Sequence, residues 1–237
     1  MLVRNPGPGP ETMTTQQDIR DFAYLHHVTH GEQKYGDEPF IVHLDDVWGI
    51  LQEYASCIGG ETIMRATRLV AYTHDFLEDV TVLGMDGKDV TEDILAQELV
   101  SETLFKAVKF CTDEKGQNRK ERKAKTYARC RADIDRDYLA FRQHQDLQSD
   151  LLKSGWEYAK VHLDGYPHPY VYFGVAAKLA DRLANLRRAT ADKSGLLSMY
   201  RKEKDAFRYA LYVPGMFEPM WAEYDRLLDD PYARKTT

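Results

Sequence analysis

The segment HDFLED places His74, Asp75, Glu78 and Asp79 directly after an apolar stretch that ends at Thr73. Grouping charges at the end of a buried stretch is costly unless something compensates them. Taken alone, the segment has two level readings. It is a solvated turn, or it is part of the shell of a divalent cation, for which imidazole and carboxylate are suitable donors. Farther along, KLADRLANLR sets Asp181 and Asn185 four positions apart, on one face of an otherwise apolar helix. An acid between Leu179, Ala180 and Leu183 is expected to be buried and to need a partner, and Arg182, one position on, points away from it. His43 follows Pro39-Phe40-Ile41-Val42 and stands beside Asp45 and Asp46. By itself such a histidine is more often a surface or capping residue than a ligand.

The elements that must position these residues read as helices. Val47, Ile50, Leu51 and Tyr54 follow the i, i+3, i+4, i+7 rhythm of one helix face, and Ile63, Ala66, Leu69, Val70 and Thr73 repeat it beyond the Gly59-Gly60 break. Thr91, followed by Glu92 and Asp93, is expected to cap a helix leading into Ile94 and Leu95. Leu104 and Val108 mark a further helix, VAAKLADRLANLRRA another, and Leu197–Tyr212 and Phe217–Leu228 two more, split by Pro214-Gly215. No strand pair with an Asn-Gly or Asp-Gly turn stands out, although a short hairpin near Leu83–Val90 stays open. The expected fold class is all-α, a single helical domain over residues 16–230. Flexible tails are expected at 1–15 and 231–237.

Length and composition agree with one soluble domain, for 237 residues hold one substantial core more readily than two. No apolar run reaches membrane-spanning length, and the N-terminal residues lack the apolar centre of a secretory signal, so a cytoplasmic location is expected with no membrane partner. The net charge of −6 gives no reason to expect nucleic-acid binding. Cys57, Cys111 and Cys130 are widely spaced and form no CxxC pair, which points to free thiols. Arg119, Lys120, Arg122, Lys123 and Lys125 form a basic cluster, read either as a solvated face or as a rim that attracts a polyphosphate.

The order HGEQ (30–33), EPFIVH (38–43), HDFLED (74–79), CTD (111–113), ERK (121–123) and KLADRLANLR (178–187) resembles that of the HD-domain alarmone hydrolases. These are the hydrolase halves of RelA/SpoT-type proteins and the stand-alone small alarmone hydrolases. The resemblance covers roughly residues 17–125 and 172–210. It implies an HD-domain helical bundle and removal of the 3′-pyrophosphate of ppGpp or pppGpp, giving GDP or GTP and pyrophosphate, usually with Mn²⁺. Carried over by motif, it implies His43, His74, Asp75 and Asp181 as ligands of one divalent cation. Glu78 and Asp79 would position and activate the attacking water. Asn185 would face the nucleotide, and Lys34, His30 and Lys178 are further candidates to touch it or shape its pocket.

The sequence also departs from that family. Where the family has Gln-x-Arg, with the arginine against guanine, this chain has Gln33-Lys34-Tyr35, and the stretch to His43 is one residue shorter. Tyr35 is a candidate to stack on a base instead. Leu44 follows His43 where the family usually has proline. Residues of about 127–170 have no counterpart in the minimal domain and are read as an inserted helical segment. Two alternatives therefore stand beside alarmone hydrolysis: an HD-type phosphohydrolase for another nucleotide, and a non-catalytic nucleotide-binding regulator.

Overall fold

The computed structural model describes residues 16–148, 169–192 and 194–229, and within them the backbone is predominantly helical. Helix α1 (Gln16–Ala23) runs into a π-helical segment, Tyr24–His30. A tight loop follows, in which β1 (Lys34–Tyr35) and β2 (Glu38–Pro39) pair antiparallel, with Tyr35 opposite Glu38. Next come α2 (Ile41–Glu53), α3 (Ala55–Ile58), α4 (Glu61–Thr73), the single turn α5 (Phe76–Asp79), α6 (Thr91–Leu99), α7 (Glu102–Cys111) and α8 (Arg119–Gln148). The chain continues with α9 (Pro169–Ala191), α10 (Leu196–Leu211) and α11 (Glu218–Asp229). No helix among the described residues is long and apolar enough to cross a membrane.

Helix α9 is the centre of the bundle. Its residues Val175, Ala176, Ala177, Leu179, Ala180 and Leu183 are all fully buried, and it packs most extensively on α7, then on α2, α11 and α4. Small side chains let its backbone come close to α7. A Cβ on Gly174 would lie within 2.8 Å of Phe110 Cγ, so only glycine fits at that crossing. The apolar faces read from the sequence meet here, with Val47, Ile50, Leu51, Val70, Leu104 and Val108 in one core. Each such side chain contributes about 1.5–3 kcal/mol on burial. A smaller cluster of Ile19, Ala23, Ile41, Leu44 and Tyr72 seats α1 against α2 and α4.

Helix ends follow local chemistry, with one correction. Thr91 is the first helical residue and not the cap: its amide and hydroxyl both donate to Asp89 Oδ1, at 2.9 and 2.6 Å, and its hydroxyl accepts from Val82 N. The side-chain acceptor sits two positions earlier because the segment before α6 is a small hairpin, with Leu83 bridged to Asp89 and Val90 N donating to Val82 O. At α7 the cap is Ser101, which accepts from Leu104 N. Helix α8 runs unbroken from Arg119, and Tyr127, Cys130 and Ile134 are buried in the main core, so this part of the expected 127–170 insertion is integral to the bundle. The expected tails and residues 149–168 lie outside the described residues. The three cysteines are free thiols, Cys111 and Cys130 being buried.

Candidate metal centre

Three helices deliver the four expected ligands to one place. His43 stands in the first turn of α2, His74 caps the C-terminus of α4 with Asp75 next to it, and Asp181 lies midway along α9. His43 Nε2 is 3.2 Å from Asp181 Oδ1 and 3.7 Å from Asp75 Oδ2. His74 Nε2 is 3.0 Å from Asp75 Oδ2 and 3.9 Å from Asp181 Oδ1. Donor atoms of His43, His74 and Asp181 all lie within 4.8 Å of one another. Both imidazoles are buried, at 3% and 2% exposure, while the two carboxylates keep partial access to solvent.

Local structure fixes which atoms face the centre. His74 Nδ1 donates to Ala71 O at 2.8 Å, one turn back in α4, which leaves Nε2 for the cluster. That Nε2 is buried and has no aligned hydrogen-bond partner. His43 is enclosed by the rings of Tyr35, Phe40 and His74, at centroid distances of 4.7, 5.3 and 5.6 Å.

The electrostatics of the cluster call for a positive charge. Burial disfavours an imidazolium at His43, but hydrogen bonds and attraction from Asp181 and Asp75 outweigh it and push its pKa up to about 10. His74 is shifted upward by the same balance. Against the opposing effect of burial, the two imidazoles hold Asp75 well below the ordinary carboxylate range and lower Asp181 as well. Two carboxylates facing two imidazoles around one point thus draw in protons or a cation. The donor set of nitrogen and oxygen without thiolate suits a hard or borderline divalent ion, so the residues present fit such a metal.

Glu78 and Asp79 sit on α5 beside this cluster, their backbone amides both donating to Asp75 O. Their tips reach solvent, but surrounding protein removes part of their hydration, and the charge of Asp75 adds to that. Glu78 is pushed up to about 7 and Asp79 to about 6. Glu78 Oε1 accepts from Asp113 N, and Asp113 pairs with Lys123 at 2.7 Å. The CTD and ERK segments therefore meet behind the acidic pair.

The expected substrate contacts are less uniform. Lys34 and His30 are exposed on the loop side of the centre. Lys178 is buried, and its ammonium donates to Cys111 O, so it joins α9 to the end of α7 and is not open to a ligand. Both ends of the Asn185 amide are engaged: Nδ2 donates to Asp181 Oδ1 at 2.5 Å, and Oδ1 accepts from Tyr35 at 3.0 Å. Tyr35 lies tilted against His43, ring centroids 4.7 Å apart, and the Arg188 guanidinium sits 4.1 Å from its ring centroid, so the ring is already in contact with two groups. In the basic cluster, Arg119 pairs with Glu203, Lys123 with Asp113 and Lys125 with Glu121.

Three residues near the centre had no assigned role in the sequence reading. Gln33 Oε1 accepts from His27 Nδ1 at 2.6 Å while its amide donates to Asp79 O, which ties the loop after the π-helical segment to α5. His27 itself is fully buried, as a packing residue would be. Arg188 lies at i+7 from Asp181, and that spacing is the sign that it shares the face of α9 that carries Asp181. No protein-family model, curated protein or solved structure matches the chain.

Proposed function

We propose that the chain is a metal-dependent phosphohydrolase that removes the 3′-pyrophosphate of guanosine alarmones. The observation carrying this reading is the convergence of His43, His74, Asp75 and Asp181, from segments far apart in the chain, on one place where both imidazoles are buried. A divalent cation held there, Mn²⁺ by the resemblance, supplies charge that polarises a phosphoryl group and acidifies water. Glu78 and Asp79 flank the ligands, where they orient the attacking water and accept its proton. Lys123, paired with Asp113 beside Glu78, helps hold the backbone amide that Glu78 accepts from. With ppGpp and water the products are GDP and pyrophosphate.

The test is incubation of the pure protein with ppGpp and Mn²⁺, with products identified. Cation-dependent GDP and pyrophosphate are expected, abolished by a chelator. Turnover insensitive to chelation would refute the metal reading, and orthophosphate in place of pyrophosphate would refute the alarmone reading. A second reading, phosphohydrolysis of a different nucleotide, is favoured by one observation: Tyr35, at the place of the family's guanine-facing arginine, has its ring against His43 and the Arg188 guanidinium. A nucleotide panel run with Mn²⁺ separates the two, since a site without base stacking should tolerate adenine and guanine alike.

A further inference from the structure

Asp181, Asn185 and Arg188 form a polar stripe at i, i+4 and i+7 on α9, and all three are engaged with the Lys34–Pro39 hairpin or with each other. A carboxylate only accepts, so Asn185 must present its amide nitrogen to Asp181 Oδ1, 2.5 Å away. Its carbonyl oxygen then faces Tyr35, whose hydroxyl is the donor across 3.0 Å. The result is a directed chain of hydrogen bonds, phenol to amide to carboxylate, ending on a proposed metal ligand. The same amide also donates to Asp181 O at 3.0 Å, which holds the Asn185 side chain back along its own helix.

The hairpin is held to α9 at a second point. Arg188 pairs with Glu38 Oε2 at 2.8 Å while its guanidinium covers the Tyr35 ring, so one side chain grips the paired residues Tyr35 and Glu38 of both strands. Gly36, at φ +65°, makes the turn between them, and a Cβ there would come within 2.9 Å of Arg188 Nη2. The positive φ is what favours glycine at this turn, since the arginine tip could shift aside.

We infer that Tyr35 is a positioning residue for the metal centre, acting through Asn185 to fix the Asp181 carboxylate, and not a base-stacking or substrate-reading group. This rests on the metal reading above. Outer hydrogen-bond partners of this kind hold a ligand in its binding geometry, and their loss lowers metal affinity by about 10- to 100-fold. Asn185 takes part in the same chain, its amide nitrogen donating to Asp181 and its carbonyl oxygen accepting from Tyr35.

The experiment is Mn²⁺ titration of the full chain, read by the spin resonance of free Mn²⁺ and needing no substrate. Tyr35→Phe keeps the ring against His43 and Arg188 and deletes only the donor. We expect its Mn²⁺ dissociation constant to rise about tenfold or more, with metal-free thermal unfolding unchanged. Because the two residues act in series, Tyr35→Phe added to Asn185→Leu should cost little beyond Asn185→Leu alone. Wild-type Mn²⁺ affinity in Tyr35→Phe, or full additivity in the double variant, would overturn the inference. An unchanged metal constant with a raised KM would also overturn it by making Tyr35 a substrate contact. If the unaltered protein takes up no Mn²⁺ in this titration, the metal reading itself fails and the inference falls with it, so the two failures are told apart by the control.

Discussion

Alanine at Gly174 probes the crossing of α7 and α9, on which the position of Asp181 depends. In an open helical position, Gly→Ala stabilises by about 1 kcal/mol, since alanine loses less backbone freedom on folding. Gly49 in α2 supplies that reference, because a Cβ there would meet no heavy atom within 4 Å. At Gly174 the same methyl would lie 2.8 Å from Phe110 Cγ and 3.1 Å from Phe110 Cβ, and the ring is 1% exposed with no room to retreat. Overpacking of a close-packed core costs about 1–3 kcal/mol, which cancels or exceeds the helix gain. Gly49→Ala should therefore raise Tm by about 2–4 °C, and Gly174→Ala should fall below it by about 2–12 °C in a chain of this length. Differential scanning calorimetry on both variants reads the gap. Separation of α7 from α9 also strains the link from Lys178 to Cys111 O, so the Gly174 variant should bind Mn²⁺ more weakly while the Gly49 variant should not. Equal or greater stability in Gly174→Ala than in Gly49→Ala would refute the reasoning that this contact is tight.

The proposed ligand and base roles separate in two substitutions. Asp75→Ala should abolish Mn²⁺ uptake in a direct binding titration, whereas Glu78→Ala should keep the metal and lose about 10²- to 10⁴-fold in turnover, the usual worth of a general base. Equal metal loss in both would contradict that division. Away from the centre, Glu223 is buried yet held below the ordinary glutamate value of 4.5: burial pushes it up, and Arg187, Tyr54 and Arg226 more than offset this. A depressed folded pKa gives stability that is present above pH 4.5 and lost as pH falls through the folded value. Glu223→Gln should thus be less stable than the unaltered protein by about 1.5–3 kcal/mol at neutral pH, with the gap closing in acid, as read by urea unfolding across pH. A gap that stays constant with pH would sink that assignment.

Helix faces were legible because burial follows period: Val47, Ile50 and Leu51 repeat at helical spacing and are all at most 3% exposed. Asp181 and Asn185 were legible as neighbours on one face for the same reason. What the sequence could not supply was the third dimension around them. Lys178 looked available as a nucleotide contact, but its place on α9 turns it toward α7 and a backbone carbonyl. Tyr35 is a candidate to stack on a base by its type, yet its hydroxyl reaches a residue 150 positions away and its ring lies against side chains of two other elements. Such pairings depend on how helices cross, and periodicity within one helix carries no information about that. Turn chemistry was the other gap, since the cap at Ser101 went unassigned and the role given to Thr91 belongs to Asp89.

The ribbon of β1 and β2 has only two residues per strand, too few to be stable alone. Its order is borrowed from Asn185 and Arg188 on α9, with Gln33 tying the preceding residues to α5. A wall of the centre is therefore tethered at its edge and not rooted in the core, and it can open at a lower free energy than the bundle unfolds. Amide protons of this ribbon should exchange with solvent well before those of α9 itself, so that one rim of the centre loosens while the frame stays still.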